Sequence, residues 1–203
     1  MTEPIRALIV DGHAAFRQGL RALLETSEDI EVADDAASGE QALVMTPRLR
    51  PDVVLIDLAM PGTGGVAAAE RLVRAVPNVR VLVLSTADDD DSVFAAMRAG
   101  ARGHVPKGAR KAELLRAVRA VAAGEAIFGA ALAVRLMGYF PGPDRRQEGA
   151  LPELSDPERQ ILSLVARHLT NQQIAERLGL SPRTVRHHVS SVVAKLQVAD
   201  RAR

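Results

Sequence analysis

The sequence predicts an α/β protein: a doubly wound five-stranded parallel sheet, followed by a small all-α helix-turn-helix domain. Three observations carry this. Short β-branched apolar runs alternate with amphipathic helical stretches over residues 1–125. The alternation ends at a Pro-, Gly- and charge-rich stretch, residues 138–150. Beyond it, three helix-start signals crowd into residues 151–203.

The strands of the first domain are expected at 5–10, 30–33, 53–56, 79–84 and 103–105. Between and after them, helical patterns occupy 14–25, 39–46, 65–76, 92–99 and 111–123. Near-continuous apolar strands alternating with helices require a parallel sheet covered on both faces. In such sheets the functional crevice lies at the carboxyl ends of the strands. Here those ends carry Asp11, Asp57, Ser85 with Thr86, and Lys107, which should converge on one edge. Any one of these could be an ordinary polar strand end; four together point to a site. The acidic run 88–91 reads as a solvated helix start.

A short helix is expected at 130–137, with 126–150 forming a helix and linker. In the second domain, Ser155 caps a helix with Glu158 three residues on. A second helix spans 171–178, capped by Asn171 and stopped by Gly179. Ser181 and Pro182 open a third, to about 196. Two helices around a Gly-containing turn form a helix-turn-helix, whose second helix enters the major groove by its N-terminal end. The exposed face there offers Arg183, Thr184, Arg186, His187 and Ser190. Arg can bond guanine O6 and N7 together, and Ser, Thr and the helix N-terminus suit phosphates.

Composition narrows the classes. The chain has 203 residues and no Cys, so disulfides, thiol chemistry and Cys-rich zinc sites are excluded. No apolar run approaches the ~18–20 residues of a bilayer span, so no membrane partner and a cytoplasmic location are expected. The net charge of +1 hides a split: residues 1–125 carry 15 basic and 18 acidic groups, residues 126–203 carry 11 and 7. The basic end fits a polyanion. Aromatic residues make up only 2%, which disfavours single-strand binding by stacking. A flavodoxin-like enzyme is disfavoured too, because 11–15 lacks a phosphate-cradling run of glycines or hydroxyls and His13 reads as a surface residue.

Residues 154–196 resemble the LuxR/NarL-type DNA-binding domain. The match runs through Leu154-Ser155, Glu158-Arg159, Leu169-Thr170-Asn171, Ile174-Ala175, Ser181, Thr184 to Val189 and Lys195-Leu196. The resemblance implies that Arg186, His187 and Ser190 face the bases of double-stranded DNA, while Thr184 and Lys195 hold the backbone. Gln173 stands where the family usually has Glu, and His168 where it has Gly. The family adds a fourth helix after a motif like Ala199-Asp200-Arg201, so the domain, 151–203, is expected to be truncated before its last helix.

The first domain then resembles a CheY-like receiver of NarL/FixJ response regulators. The signatures are Val10-Asp11 with His13, Asp57 through Gly62, Leu84-Ser85, and Gly100 through Gly103 leading to Lys107. The resemblance implies Asp57 as phosphoacceptor, Ser85 and Lys107 as phosphoryl contacts, and Ser85, Thr86 and His104 as switch residues. It implies Mg²⁺ held by Asp11, Asp57 and the Ala59 carbonyl. One acid is missing: receivers carry two after the first strand, and here the second position is Gly12. Mg²⁺ binding should be weakened accordingly. Two mechanisms follow: a sensor histidine kinase phosphorylates Asp57, or a ligand or protein partner acts on a degenerate receiver without phosphorylation. Neither makes the chain an enzyme. Reading a palindromic site implies a homodimer when active.

Overall fold

The computed structural model describes residues 3–62, 64–76, 78–86, 90–140 and 153–201. The chain divides into two compact units, residues 1–124 and 125–203.

The first unit is a five-stranded parallel sheet in the order β2-β1-β3-β4-β5. Its strands are β1 (Ile5–Val10), β2 (Ile30–Ala36), β3 (Val53–Asp57), β4 (Arg80–Ser85) and β5 (Gly103–Pro106). Helices α1 (Ala14–Leu24), α2 (Gly39–Leu49), α3 (Gly64–Ala75), α4 (Asp90–Ala99) and α5 (Lys111–Ala122) cover it. α1 and α5 line one side, and α2 to α4 pack in series on the other. Every residue of β3 is buried, as is most of β1 and β4. That is the pattern of strands covered on both faces.

Chain order reverses between β1 and β3, so the carboxyl ends of these neighbours open a crevice. β2 runs three residues past the expected stretch. Its continuation, Asp34-Asp35-Ala36, is acidic but lies at the sheet edge, where Arg17 and Arg21 pair with Asp35. α2 likewise passes Pro47 to end at Leu49, capped by Arg50 in the left-handed conformation (φ 48°). α4 starts at Asp90 with Asp91 in its first turn, as the dipole favours; the rest of that acidic run lies outside the described residues.

The second unit holds α6 (Ala130–Tyr139), α7 (Asp156–Ala166), α8 (Asn171–Leu178) and α9 (Pro182–Arg201). α6 packs on α7, and α7, α8 and α9 share a core that includes Ile161, Ile174, Val185, Val193 and Leu196. Two residues of the expected linker, Gly138 and Tyr139, belong to α6; its stretch 141–150 lies outside the described residues. The cap of α8 is Thr170, not Asn171. Gln173 N–H donates to Thr170 Oγ1 (3.3 Å), and Thr170 N–H to Gln173 Oε1 (2.9 Å). Gln in place of Glu therefore keeps the reciprocal cap, because its amide oxygen still accepts. α9 runs five residues beyond Leu196, with Ala199 still buried. No helix among the described residues is long and apolar enough to cross a membrane.

Candidate phosphoacceptor crevice and nucleic-acid interface

The crevice is built from strand ends. Asp11 follows β1, Asp57 ends β3, Ser85 ends β4 and Lys107 follows β5. Asp11 and Asp57 are both fully buried, yet neither is left without a countercharge. Lys107 Nζ lies 2.7 Å from Asp11 Oδ2 and 2.9 Å from Asp57 Oδ2. Burial works to lower the Lys107 pKa, but the bonds to Asp11 and Asp57 outweigh it and hold the ammonium above its usual value. The Asp57 Oδ2 contact is an ion pair without hydrogen-bond alignment. Its other oxygen accepts from the Ala59 N–H at 3.2 Å. Phe16 presents its ring to Lys107 Nζ, 4.6 Å from the centroid.

Local backbone explains why these groups meet. Gly65 N–H reaches the Leu58 carbonyl (3.2 Å), bringing the start of α3 against the end of β3. A Cβ at Gly65 would lie 2.1 Å from the Asp57 carbonyl oxygen, so only glycine fits there. Asp11 is held by Arg17, whose Nη1 donates to the Asp11 carbonyl (2.7 Å) while Nε pairs with Asp35 (2.6 Å). Sequence reasoning missed Arg17, because nothing in a six-residue step from a strand end into a helix distinguishes it from a solvated arginine.

Ser85 is buried, and its Oγ lies 2.8 Å from His104 Nε2 and 3.0 Å from the Thr86 carbonyl. Thr86 itself is exposed. The structure thus joins Asp11, Asp57 and Lys107 in one cluster, and Ser85 with His104 in a second contact. Asp11, His13 and Asp57 each offer a donor atom, all within 4.8 Å of one another, a group able to hold a metal ion.

In the second unit, Gly179 caps α8 in the left-handed conformation (φ 65°), and Leu180 N–H returns to the Ala175 carbonyl. Ser181 Oγ then accepts from the Thr184 N–H (3.0 Å), starting α9. Arg183 and His187 are exposed one turn apart on α9. Arg186 and Ser190 already have partners. Arg186 Nε pairs with Glu125 Oε1 (2.8 Å), and Ser190 Oγ accepts from the Ala126 N–H (2.8 Å). Lys195 is bound within the domain: its Nζ donates to Glu158 Oε2 (2.6 Å) and to the Glu153 carbonyl (2.8 Å).

Glu158, buried, also accepts from Ser191 Oγ (2.6 Å) and from the Ser155 N–H (2.7 Å). Burial pushes its pKa up, but these bonds prevail and lower it to about 2. The capping-box spacing reveals half of this role. The pairing with Lys195, 37 positions away, is a product of the fold.

Known proteins agree with this arrangement. Residues 7–119 match the response regulator receiver domain family, and residues 152–203 match the bacterial regulatory proteins of the luxR family. The chain is 35% identical over 199 residues to the transcriptional regulatory protein LiaR of Bacillus subtilis (strain 168), covering 97% of this chain and 93% of that one. It is also 35% identical over 197 residues to the DNA-binding transcriptional activator DevR/DosR of Mycobacterium tuberculosis (strain ATCC 25618 / H37Rv), covering 97% and 90%. A crystal structure of the response regulator ChrA in a heme-sensing two-component system superposes with a TM-score of 0.58 at 31% identity, over 98% of both chains. The chain therefore belongs to the two-component response regulators that couple a receiver domain to a LuxR-type helix-turn-helix and regulate transcription by binding DNA.

Proposed function

We propose that a sensor histidine kinase phosphorylates Asp57, and that this controls DNA binding by α9 in a cytoplasmic protein that pairs when active. The observation that carries it is Lys107 Nζ bridging the buried carboxylates of Asp11 and Asp57. A carboxylate of Asp57 attacks phosphorus and the leaving group departs with its electron pair. Lys107 then exchanges part of its contact with the carboxylates for the phosphoryl oxygens. Ser85 supplies a hydroxyl to the same oxygens only by giving up His104 and the Thr86 carbonyl. That exchange is the switch, because it breaks the contact between Ser85 and His104.

The residues present fit a divalent cation: two buried carboxylates and the imidazole of His13 lie close together, with the Ala59 carbonyl assigned as a further donor. Bound there, Mg²⁺ would offset the charge of the incoming phosphoryl group. At the other end, Arg186, His187 and Ser190 read bases, Arg183 and Thr184 meet phosphates, and Lys195 fixes α9 on α7 through Glu158.

The test is incubation of the full chain with Mg²⁺ or Mn²⁺ and a small phosphodonor, followed by intact-mass measurement. A gain of one phosphoryl group, lost in Asp57→Asn and stripped by hydroxylamine, supports the reading. A chain that stays unmodified with every donor and both metals, while still binding DNA, refutes it.

A further inference from the structure

We infer that the crevice is a mixed nitrogen–oxygen metal site in which His13 is a ligand, so that it favours a first-row transition-metal dication over Mg²⁺. The donors are one carboxylate oxygen each from Asp11 and Asp57 and a ring nitrogen of His13, mutually within 4.8 Å. His13 Nδ1 is hydrogen-bonded to Asp11 Oδ1 at 3.3 Å, a contact that a shared ion would replace. Two donors each about 2.1 Å from one ion and about 100° apart are separated by about 3.2 Å, so the ring needs little movement to share an ion with the carboxylate. Its position is fixed from the main chain too, because the His13 N–H donates to the same Asp11 Oδ1 (2.7 Å). The remaining surface of the ring is open, with the side chain 76% exposed, so solvent ligands can complete the shell.

The second argument is charge. Lys107 engages Oδ2 of both aspartates, which leaves a net charge near −1 on the three groups, and each Oδ1 accepts one backbone N–H and keeps a lone pair for an ion. Gly12 adds no further carboxylate. Mg²⁺ demands hard oxygen ligands in an octahedron and gains little from imidazole. Mn²⁺, Co²⁺ and Zn²⁺ accept imidazole and carboxylate together. The donor set therefore shifts preference toward them. Gly12 also supplies a way to reverse the shift. A Cβ there meets only Pro61 Cδ at 3.5 Å, and Gly12 is not among the glycines with positive φ, so Gly12→Asp fits without strain.

The inference shares its crevice with the phosphorylation reading but does not require phosphoryl transfer. A chain that binds metal through His13 and never becomes phosphorylated refutes only that reading. The experiment titrates Co²⁺ and Mg²⁺ separately into the full chain, following heat and, for Co²⁺, the visible ligand-field band. Any site binds Co²⁺ more tightly than Mg²⁺ to some extent, so the decisive quantity is the change in their affinity ratio. His13→Ala should weaken Co²⁺ by about tenfold or more, since even outer-shell partners of metal ligands are worth about 10–100-fold, and leave Mg²⁺ within about twofold. Asp11→Asn should weaken both and bleach the same band. Gly12→Asp should raise Mg²⁺ affinity and narrow the ratio. His187→Ala together with His188→Ala should change nothing, which separates this site from the histidine pair on α9. His13→Ala and His13→Gln lowering Co²⁺ no more than Mg²⁺, or a band that survives Asp11→Asn, would overturn it.

Discussion

Glu125→Ala should tighten DNA binding. Arg186 is proposed to read bases, yet its Nε is 2.8 Å from Glu125 Oε1, so extending to a base edge competes with that carboxylate. The cost of leaving sets the gain. Both partners are part-exposed, Arg186 at 38% and Glu125 at 30%, which places the pair among solvent-screened contacts of about 0.2–1 kcal/mol. Released into binding, that is about 1.5- to 5-fold in Kd at 25 °C. The assay is fluorescence anisotropy on a duplex that the wild-type chain has selected from a random pool, at two salt concentrations. The gain should shrink as salt rises, since screening already weakens the pair in the wild type. In an Arg186→Ala background, Glu125→Ala should give no gain from the pair. An unchanged or weaker Kd in Glu125→Ala, or an equal gain with and without Arg186, refutes the reasoning.

Glu158 makes stability acid-sensitive. Its folded pKa of about 2 lies below the model-compound value of 4.5. A depressed folded pKa contributes stability that is complete above the unfolded value and lost as pH falls through the folded one. The helical unit should lose on the order of 3 kcal/mol between pH ~5 and ~2 from this group, and urea melts of Glu158→Gln should show a flatter acid limb. Gly65→Ala should cost at least about 1–3 kcal/mol, because its Cβ would strike the Asp57 carbonyl and the backbone of β3 must move; unchanged thermal stability would contradict the packing described. His168 has a left-handed backbone (φ 62°), which penalises any side chain. His168→Gly should therefore raise the unfolding free energy in urea melts by less than about 1 kcal/mol once the greater freedom of unfolded glycine is subtracted. A fall would mean that the imidazole contributes more than the strain costs.

Much of this was visible in the sequence because two signals act locally. Apolar runs set the strands, and a strand that ends must place its next polar residue at the rim, which is how Asp11, Asp57, Ser85 and Lys107 are found. Caps behave similarly: Ser155, Gly179 and Ser181 act on neighbours within a few positions. The acidic end of β2 was not visible, because Asp34 and Asp35 break the apolar pattern and only pairing with Arg17 and Arg21 makes a strand of them. Nor were the roles of Glu125 and Lys195. Each is set by a partner 61 and 37 positions away, and a charged residue on a helix carries no mark of which carboxylate or guanidinium will meet it.

The contact between Lys107 and Asp11 spans 96 positions. Between those residues lie α1, β2, α2, β3, α3, β4, α4 and β5, and β1, β3, β4 and β5 must be side by side before the two side chains can touch. The crevice is thus a certificate of completed folding. A chain with β5 undocked has an aspartate at position 57 but no ammonium to receive a phosphoryl group beside it. On the phosphorylation proposed for Asp57, modification would be restricted to finished molecules, and a newly made or heat-damaged chain would stay silent without a separate check.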